Sequence, residues 1–172
     1  MKFLGKIDGE TIGLVRPSPA SWLERKTARV ILSDAQKRIA LLHSAKRGMH
    51  HIPGGGIDDG DTVESALRRE ALEETGCRIK NIRELGQTEE WWNDYISTHQ
   101  ISYCFLAEVD GEKGSPRFTA GEIESGYSLS WRTLDEAIAL LESERNLEDY
   151  DGRFTVFRDL AFLEEARQLG LR

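Results

Sequence analysis

The stretch from Pro53 to Cys77 constrains the fold of this chain more than any other. It reads PGGGIDDGDTVESALRREALEETGC, so three glycines precede a short acidic turn and a segment rich in helix-forming residues. Because no glycine or proline occurs from Thr62 to Thr75, we predict a helix of about four turns there. Asp61 is the predicted N-cap, with Glu64 completing a capping box. Gly76 stands where a left-handed C-cap is expected.

Three carboxylates project from one face of this predicted helix. Glu70, Glu73 and Glu74 stand at i, i+3 and i+4, a spacing at which like charges repel each other. The helix dipole also disfavours negative charge at the C-terminal end. A cation between the carboxylates explains such a cluster, and hard oxygen ligands select Mg²⁺ or Mn²⁺. The alternative is a solvated acidic face, and the glycine loop just ahead of the helix favours the metal site.

The same stretch resembles the signature of the Nudix hydrolases. That signature is Gly, five residues, Glu, seven residues, then Arg-Glu-U-x-Glu-Glu-x-Gly-U, in which U is a bulky apolar residue. The match begins at Gly55 and ends with REALEETGC, from Arg69 to Cys77. It departs from the signature in two respects. Asp61 stands in place of the first Glu, and Ala71 and Cys77 are small for U positions.

The resemblance implies roles for individual residues. Its implied metal ligands are Glu70, Glu74, the backbone carbonyl of Gly55 and, outermost, Asp61. Glu73 would bind a metal or pair with Arg69, which would then orient it. The implied reaction is attack of water on one phosphorus of a diphosphate linkage, assisted by Mg²⁺ or Mn²⁺.

The implied function is metal-dependent hydrolysis of a nucleoside diphosphate linked to another moiety. Such small-molecule substrates include ADP-ribose-like compounds, nucleotide sugars, dinucleotides and nucleoside triphosphates. The alternative is a Nudix-fold module that binds a nucleotide or regulates without catalysis. Such a module is expected to lose members of the Arg-Glu and Glu-Glu set, whereas this chain keeps all of them.

Further candidate residues lie outside the signature. Arg47 precedes the glycine loop and is a candidate phosphate contact, with a solvated loop as the alternative. Trp91 and Trp92 are candidates for stacking on a nucleobase, or else anchor the core or a dimer interface. By the resemblance, an acid before the final strand assists as metal ligand or general base. Glu124 is the first choice and Glu122 the second. Residues 44–51, 86–98 and 110–126 are expected to determine the substrate.

We expect an α/β (α+β) fold, a Nudix-like α/β/α sandwich with a curved mixed β-sheet. Residues 1–25 are predicted to form an N-terminal extension, with a short hairpin turning at Asp8-Gly9 and a connector, ahead of a Nudix domain over 26–172. The extension is expected to pack on the sheet edge or to contact a second subunit of a homodimer. The predicted strands cover 28–32, 38–43, 78–85 and 99–109. Two helices are predicted after them, one starting at Thr133 with a capping box and one over Thr155–Leu169.

Composition excludes several classes of protein. The net charge of −7 argues against stable nucleic-acid binding, which usually requires a basic face. Two cysteines are too few for a disulfide framework and indicate a reduced, cytoplasmic setting. No apolar stretch approaches the length of a membrane span, so we expect no membrane association.

Overall fold

A computed structural model of the chain describes residues 1–93 and 97–171. Within these residues, four helices flank one mixed sheet of eight strands. The strands are β1 (Phe3–Ile7), β2 (Leu23–Ser33), β3 (Ile39–Ser44), β4 (Met49–His51), β5 (Gly54–Gly56), β6 (Arg78–Trp92), β7 (Thr98–Asp110) and β8 (Tyr127–Arg132). The helices are α1 (Val63–Thr75), α2 (Ala120–Glu124), α3 (Leu134–Ser143) and α4 (Tyr150–Gln168). The predicted α+β fold with a mixed sheet is confirmed.

The sheet is built around β7, which pairs antiparallel with β6 and parallel with β2. Strands follow the order β1-β6-β7-β2-β3-β4, while β5 pairs with β2 and β8 with β3. Side chains alternate between the two faces of a strand, and β2 supplies both cores in this way. Ile31 belongs to the cluster that contains Leu160 of α4, whereas Val30 belongs to the cluster that contains Leu67 of α1. The helices therefore cover opposite faces of the sheet.

The N-terminal segment differs from the predicted hairpin. β1 pairs in parallel with β6, from Phe3↔Gln87 to Ile7↔Glu90. The chain does turn at Asp8, whose carboxylate accepts a hydrogen bond from the Thr11 amide at 3.0 Å. However, the described residues that follow this turn form no strand before β2. The division of the chain at residue 25 stays a prediction.

Several elements are longer than predicted, among them β2, which starts at Leu23 rather than at residue 28. β6 does not end at Gly86 but continues to Trp92, with a register shift between Glu84 and Gly86. A Cβ at Gly86 would lie 2.6 Å from the side chain of Leu4, so this glycine lets β1 pack closely. α4 begins at Tyr150 rather than at Thr155. Asp149 caps it by accepting a hydrogen bond from the Gly152 amide at 2.9 Å.

Candidate metal and substrate site

The N-cap of helix α1 lies one residue later than predicted. Thr62 is the N-cap, and it exchanges hydrogen bonds with Ser65 in a capping box. Asp61 instead accepts a hydrogen bond from the Ser65 hydroxyl at 2.9 Å, and Glu64 pairs with Arg68. A threonine at the N-cap satisfies the same free amide that an aspartate would. The predicted left-handed C-cap is confirmed, since Gly76 has a φ of 70°.

The acids of α1 lie in unequal environments. Glu74 is buried, at 4% exposure, and the side chain of Glu70 is 13% exposed, whereas that of Glu73 is 44% exposed. Glu70 and Glu74 line a cavity of about 490 Å³ together with Gly55, but Glu73 faces Arg69 outside it. The structure therefore divides the predicted cluster between two carboxylates in the cavity and one at its margin.

Arg69 connects the remaining acidic groups. Its guanidinium donates to Glu70 at 2.7 Å, to Asp61 at 3.3 Å and to the carbonyl of Gly56 at 3.1 Å, and it lies 3.6 Å from Glu73. The hydrogen bond from Ser65, and after it those from Arg69, lower the pKa of Asp61. Arg69 thus ties the start of α1 to the glycine loop and orients the Glu70 carboxylate.

Burial perturbs both cavity carboxylates. Removal from water raises the pKa of Glu74 to about 8, although its carboxylate accepts a hydrogen bond from the Gly54 amide at 2.6 Å. Burial also raises the pKa of Glu70, against the effect of Arg69. Desolvation disfavours the charged form of a carboxylate, and a neighbouring cation favours it. Both groups therefore lie where a bound cation would be stabilising.

Gly55 lies directly against the Glu70 carboxylate. A Cβ at this position would stand 2.3 Å from Glu70 Oε1 and 2.7 Å from Oε2. Only glycine therefore leaves room for the carboxylate beside the loop backbone. Carboxylate and carbonyl oxygens suit Mg²⁺ or Mn²⁺. The residues present thus fit a divalent cation held by Glu70, Glu74 and the carbonyl of Gly55.

No three carboxylate, imidazole or thiol groups within residues 1–93 and 97–171 are grouped closely enough to hold a metal ion by themselves. This agrees with the usual coordination of Mg²⁺, which takes one or two carboxylates and completes its shell with water and substrate phosphates. A cation held by Glu70, Glu74 and the carbonyl of Gly55 would therefore complete its coordination shell with water and substrate phosphates.

Basic side chains also line the cavity. Arg25 and Arg29 project from β2 into it, and Arg47 enters from the turn between β3 and β4. Arg29 donates to the carbonyl of Gly54, and in the described part of the chain no carboxylate forms an ion pair with it. Burial, followed by the charge of Arg158, lowers the pKa of Arg29 to about 10. Arg47 pairs loosely with Asp149 at 3.4 Å.

Arg25 and Arg29 were not among the predicted site residues, because they lie on a strand far from the signature. The only available signal was their spacing, since residues i and i+4 of a strand share a face. β2 also pairs with the glycine loop through Arg29↔Gly54. That pairing, which no local pattern indicates, carries the arginines to the cavity.

The two tryptophans lie in different places. Trp92 lines the cavity and stacks on Phe154 with ring centroids 5.1 Å apart. Trp91 faces the other side of β6, where it stacks on His99 at 3.9 Å and meets Trp22 edge-on. Alternate residues of a strand point to opposite faces, so a strand presents only one of two adjacent tryptophans to the cavity. Residues 94–96, within the predicted specificity segment 86–98, lie outside the described residues.

The two acids on α2 also point differently. Glu124 pairs with Lys46 at 3.1 Å, and its side chain is 77% exposed. Glu122 closes the capping box with Thr119 and lines the cavity. The structure thus brings the second choice of the sequence analysis to the site, while the first choice lies at the surface.

The chain is similar to several known proteins. The family model described as NUDIX domain matches residues 23–155. A CMP-5'-(N-acetyl-N-hydroxy-3-aminopropyl)phosphonate hydrolase from Streptomyces rubellomurinus is 30% identical over 124 residues, which are 70% of this chain and 57% of the relative. An NAD-capped RNA hydrolase, NudC, from Chromobacterium violaceum is 33% identical over 88 residues, which are 51% of this chain and 29% of the relative. The chain thus spans little more than half, or less, of these relatives' own length.

A similar fold occurs in a solved structure. The NUDIX domain of NrtR from Shewanella oneidensis, complexed with ADP ribose, superposes with a TM-score of 0.62 at 18% identity. The match covers 94% of this chain and 97% of that one. In addition, none of the helices in the described part of the chain is long and apolar enough to cross a membrane.

Proposed function

The chain belongs to the Nudix family, and from this membership we propose that it hydrolyses a diphosphate linkage with the help of a divalent metal ion. The proposed substrate is a nucleoside diphosphate joined to another moiety, or a nucleoside triphosphate. The similarity to hydrolases of the same family supports this reaction.

One observation carries the proposal. The buried carboxylate of Glu74 and the partly buried carboxylate of Glu70 line the same cavity as two arginines of β2, Arg25 and Arg29. Nudix hydrolases generally use divalent metal ions, and here the acids suit the metal while the arginines suit the phosphates. An acidic protein thereby acquires a site for an anionic substrate.

The residues would divide the work as follows. Glu70, Glu74 and the carbonyl of Gly55 hold the metal, which when bound neutralises phosphate charge and lowers the pKa of the attacking water. Arg29, which has no carboxylate partner in the described residues, binds the phosphate nearest the glycine loop. Arg47 binds a phosphate further out, and its loose contact with Asp149 at 3.4 Å leaves it able to turn.

Arg69 acts on the site through other residues. It orients the Glu70 carboxylate from a distance of 2.7 Å and balances the charge of Asp61 and Glu73. We propose Asp61 and Glu73 as supports of the metal site rather than as innermost ligands. Among the acids of α2, Glu122 is the proposed base or additional ligand because it lines the cavity, and Glu124 is the alternative from the sequence.

A turnover assay tests the proposal. Release of phosphorylated products is measured from ADP-ribose, nucleotide sugars, dinucleoside polyphosphates and nucleoside triphosphates, with Mg²⁺ or Mn²⁺. Glu74→Gln and Glu70→Gln are the test variants. Glu64→Gln is the matched control, because Glu64 is an exposed acid of the same helix that pairs with Arg68.

We expect the wild type to hydrolyse at least one compound in the presence of metal. The two test variants should lose activity by about 100-fold or more, and Glu64→Gln should keep the activity of the wild type. Turnover that persists unchanged in Glu74→Gln and Glu70→Gln would contradict the assigned metal site. No turnover with any compound, and no metal-dependent change in melting temperature, would contradict hydrolysis itself.

Binding without hydrolysis is the second candidate function. It is favoured by Arg69, whose guanidinium contacts Glu70 at 2.7 Å and lies 3.6 Å from Glu73, and so balances two acids of the helix itself. A binding module would be stabilised by nucleotide alone, whereas the proposed enzyme requires metal for tight binding. Melting temperatures with nucleotide, with metal and with both ligands distinguish the two functions.

A further inference from the structure

The cavity extends beyond the metal and phosphate residues to an inner wall formed by Gln100, Thr155, Arg158 and His51. Gln100 comes from β7, Thr155 and Arg158 from α4, and His51 from β4. None of these residues has a part in the hydrolysis described above. The inner wall nevertheless carries buried polar groups, which proteins rarely leave without a hydrogen-bond partner.

Arg158 is the central residue of this wall. It is 1% exposed, and its Nε donates to Asp159 at 2.7 Å while Nη1 lies 3.8 Å from Glu90. Its third nitrogen, Nη2, is buried and has no hydrogen-bond partner in residues 1–93 and 97–171. Two carboxylates thus hold the guanidinium of this cavity-lining residue, and Nη2 remains as a donor without a partner in the described residues.

The charge around Arg158 determines what that donor can bind. Asp159 and Glu90 are both fully buried, so they balance the charge of the guanidinium locally. A phosphate placed here would face two carboxylates, and like charges in a poorly solvated site repel strongly. Arg29 lies within range of the same charges, but it forms no ion pair with a carboxylate in the described residues, and its buried Nε has no hydrogen-bond partner there. Arg29 therefore suits an anion, and Arg158 suits an uncharged acceptor.

His51 adds a group of the opposite hydrogen-bonding kind. Its Nδ1 lies 3.3 Å from the carbonyl of Ile52, and its Nε2 is buried without a partner in the described residues. Burial lowers the pKa of His51 to about 4, so the ring is neutral near pH 7. With the proton on Nδ1, facing the carbonyl, Nε2 is a hydrogen-bond acceptor.

The position of the two groups is itself well supported. Asp159 accepts from Arg158 Nε through one oxygen and from the Ile52 amide, at 2.9 Å, through the other. One buried carboxylate therefore joins the donor of α4 to the strand end that carries the acceptor. Glu90 is held in turn by Thr88, at 2.9 Å, and by the amide of Gln100.

We propose that the inner wall recognises the uncharged hydrogen-bonding edge of a nucleobase, with Arg158 Nη2 as donor and His51 Nε2 as acceptor. The inference rests on the proposed function, because it places the base of the same substrate whose phosphates meet Arg29. A base edge offers acceptors and N–H donors side by side without net charge, as this wall requires. Trp92 lines the same cavity and supplies an aromatic surface for a planar group.

Calorimetric titration tests the inner wall without relying on catalysis. The probes are the α,β-methylene analogues of ADP, GDP, CDP and UDP, with methylenediphosphonate as the base-free probe, all in Mg²⁺. Arg158→Lys keeps the charge between Asp159 and Glu90 but removes the Nη2 donor. His51→Leu removes the acceptor at a residue that, unlike Arg158, forms no ion pair in the described part of the chain. Arg167→Lys, on an exposed arginine of the same helix that pairs with Glu164, is the matched control.

We expect the protein to prefer one base over another by about tenfold or more, the value of one well-placed hydrogen bond. Arg158→Lys and His51→Leu should each reduce that preference to within about twofold while affinity for methylenediphosphonate stays within about twofold. Arg29→Gln should instead weaken all five probes equally, and Arg167→Lys none.

Equal affinity for all five probes, or no binding by any, would overturn the proposal. So would a loss of methylenediphosphonate affinity in Arg158→Lys as large as the loss for nucleotides, because Arg158 would then be a phosphate contact. If Arg158→Lys does not fold, the base preference of His51→Leu decides alone. Base preference without turnover of any compound would support base recognition by the inner wall and refute hydrolysis. Turnover without base preference would support hydrolysis and refute base recognition by the inner wall.

Discussion

Adjacent glycines of the loop should respond to alanine in opposite ways. Gly55 has a backbone outside the left-handed region, and the three atoms nearest to an added Cβ all belong to the Glu70 carboxylate, at 2.3 to 2.7 Å. Gly54 has a φ of 140°, and an added Cβ lies 2.2 Å from the carbonyl oxygen of Ala28 and 2.8 Å from Arg29 Cα. The atoms nearest to a Cβ at Gly55 are the flexible end of a side chain, whereas the two nearest to a Cβ at Gly54 belong to the backbone of β2.

The magnitudes follow from what must move. In Gly55→Ala the carboxylate of Glu70 swings away and loses its contact with Arg69, a partly exposed pair whose loss costs about 1 kcal/mol or less. In Gly54→Ala the loop must move away from β2, and alanine is strained at the φ of this position. Together these effects cost about 3 kcal/mol or more. Metal affinity should fall about 10- to 100-fold in Gly55→Ala because a ligand is displaced.

Urea unfolding in EDTA measures the free energy of unfolding of each variant, and Mn²⁺ titration followed by a turnover assay measures the site. We expect Gly55→Ala to be nearly as stable as the wild type but weak in metal binding and in activity. Wild-type Mn²⁺ affinity in Gly55→Ala would refute the assignment of Glu70 as a ligand. A Gly54→Ala variant as stable as the wild type would refute the close approach to β2.

Three further predictions concern separate parts of the molecule. Thr133→Ala should lower the free energy of unfolding in urea by about 1 kcal/mol, because Thr133 caps α3; no change would mean that the cap is dispensable. Burial opposes ionisation of Asp34, but hydrogen bonds, foremost from Lys113, lower its pKa below the unfolded value of 3.8. Its stabilising effect is therefore complete above that value and lost as the pH falls through the folded pKa. The difference in free energy of unfolding between wild type and Asp34→Asn should shrink below about pH 4. A difference that stays constant with pH would contradict the ion pair. Finally, Glu122→Gln should reduce kcat by about tenfold or more while Glu124→Gln leaves it unchanged, and the reverse result would show that the surface acid moves into the site.

Short-range patterns predicted α1, α3, β3 and β7 closely and β2, β6 and α4 in part, but not β4, β5 or α2. Glycine at position 76 ends α1 as expected because the conformation it must adopt is a local one. The cap at the other end was displaced from Asp61 to Thr62, since both residue types can accept the same hydrogen bond. The parallel pairing of β1 with β6, by contrast, joins residues more than eighty positions apart, and no turn signal between them encodes it.

The sequence alone thus determined the acidic helix, the glycine loop, the strands of the core and the family, because each depends on the spacing of neighbouring residues. Tertiary structure decided which side chains share the cavity. Arg29 reaches it through the pairing of β2 with the loop, and Arg158 through the packing of α4 on the sheet. Likewise, Trp92 and Glu122 face the cavity whereas Trp91 and Glu124 do not, because strand alternation and the turn of a short helix point near neighbours in different directions. Which of these side chains reaches the cavity is decided only when the helices pack on the sheet.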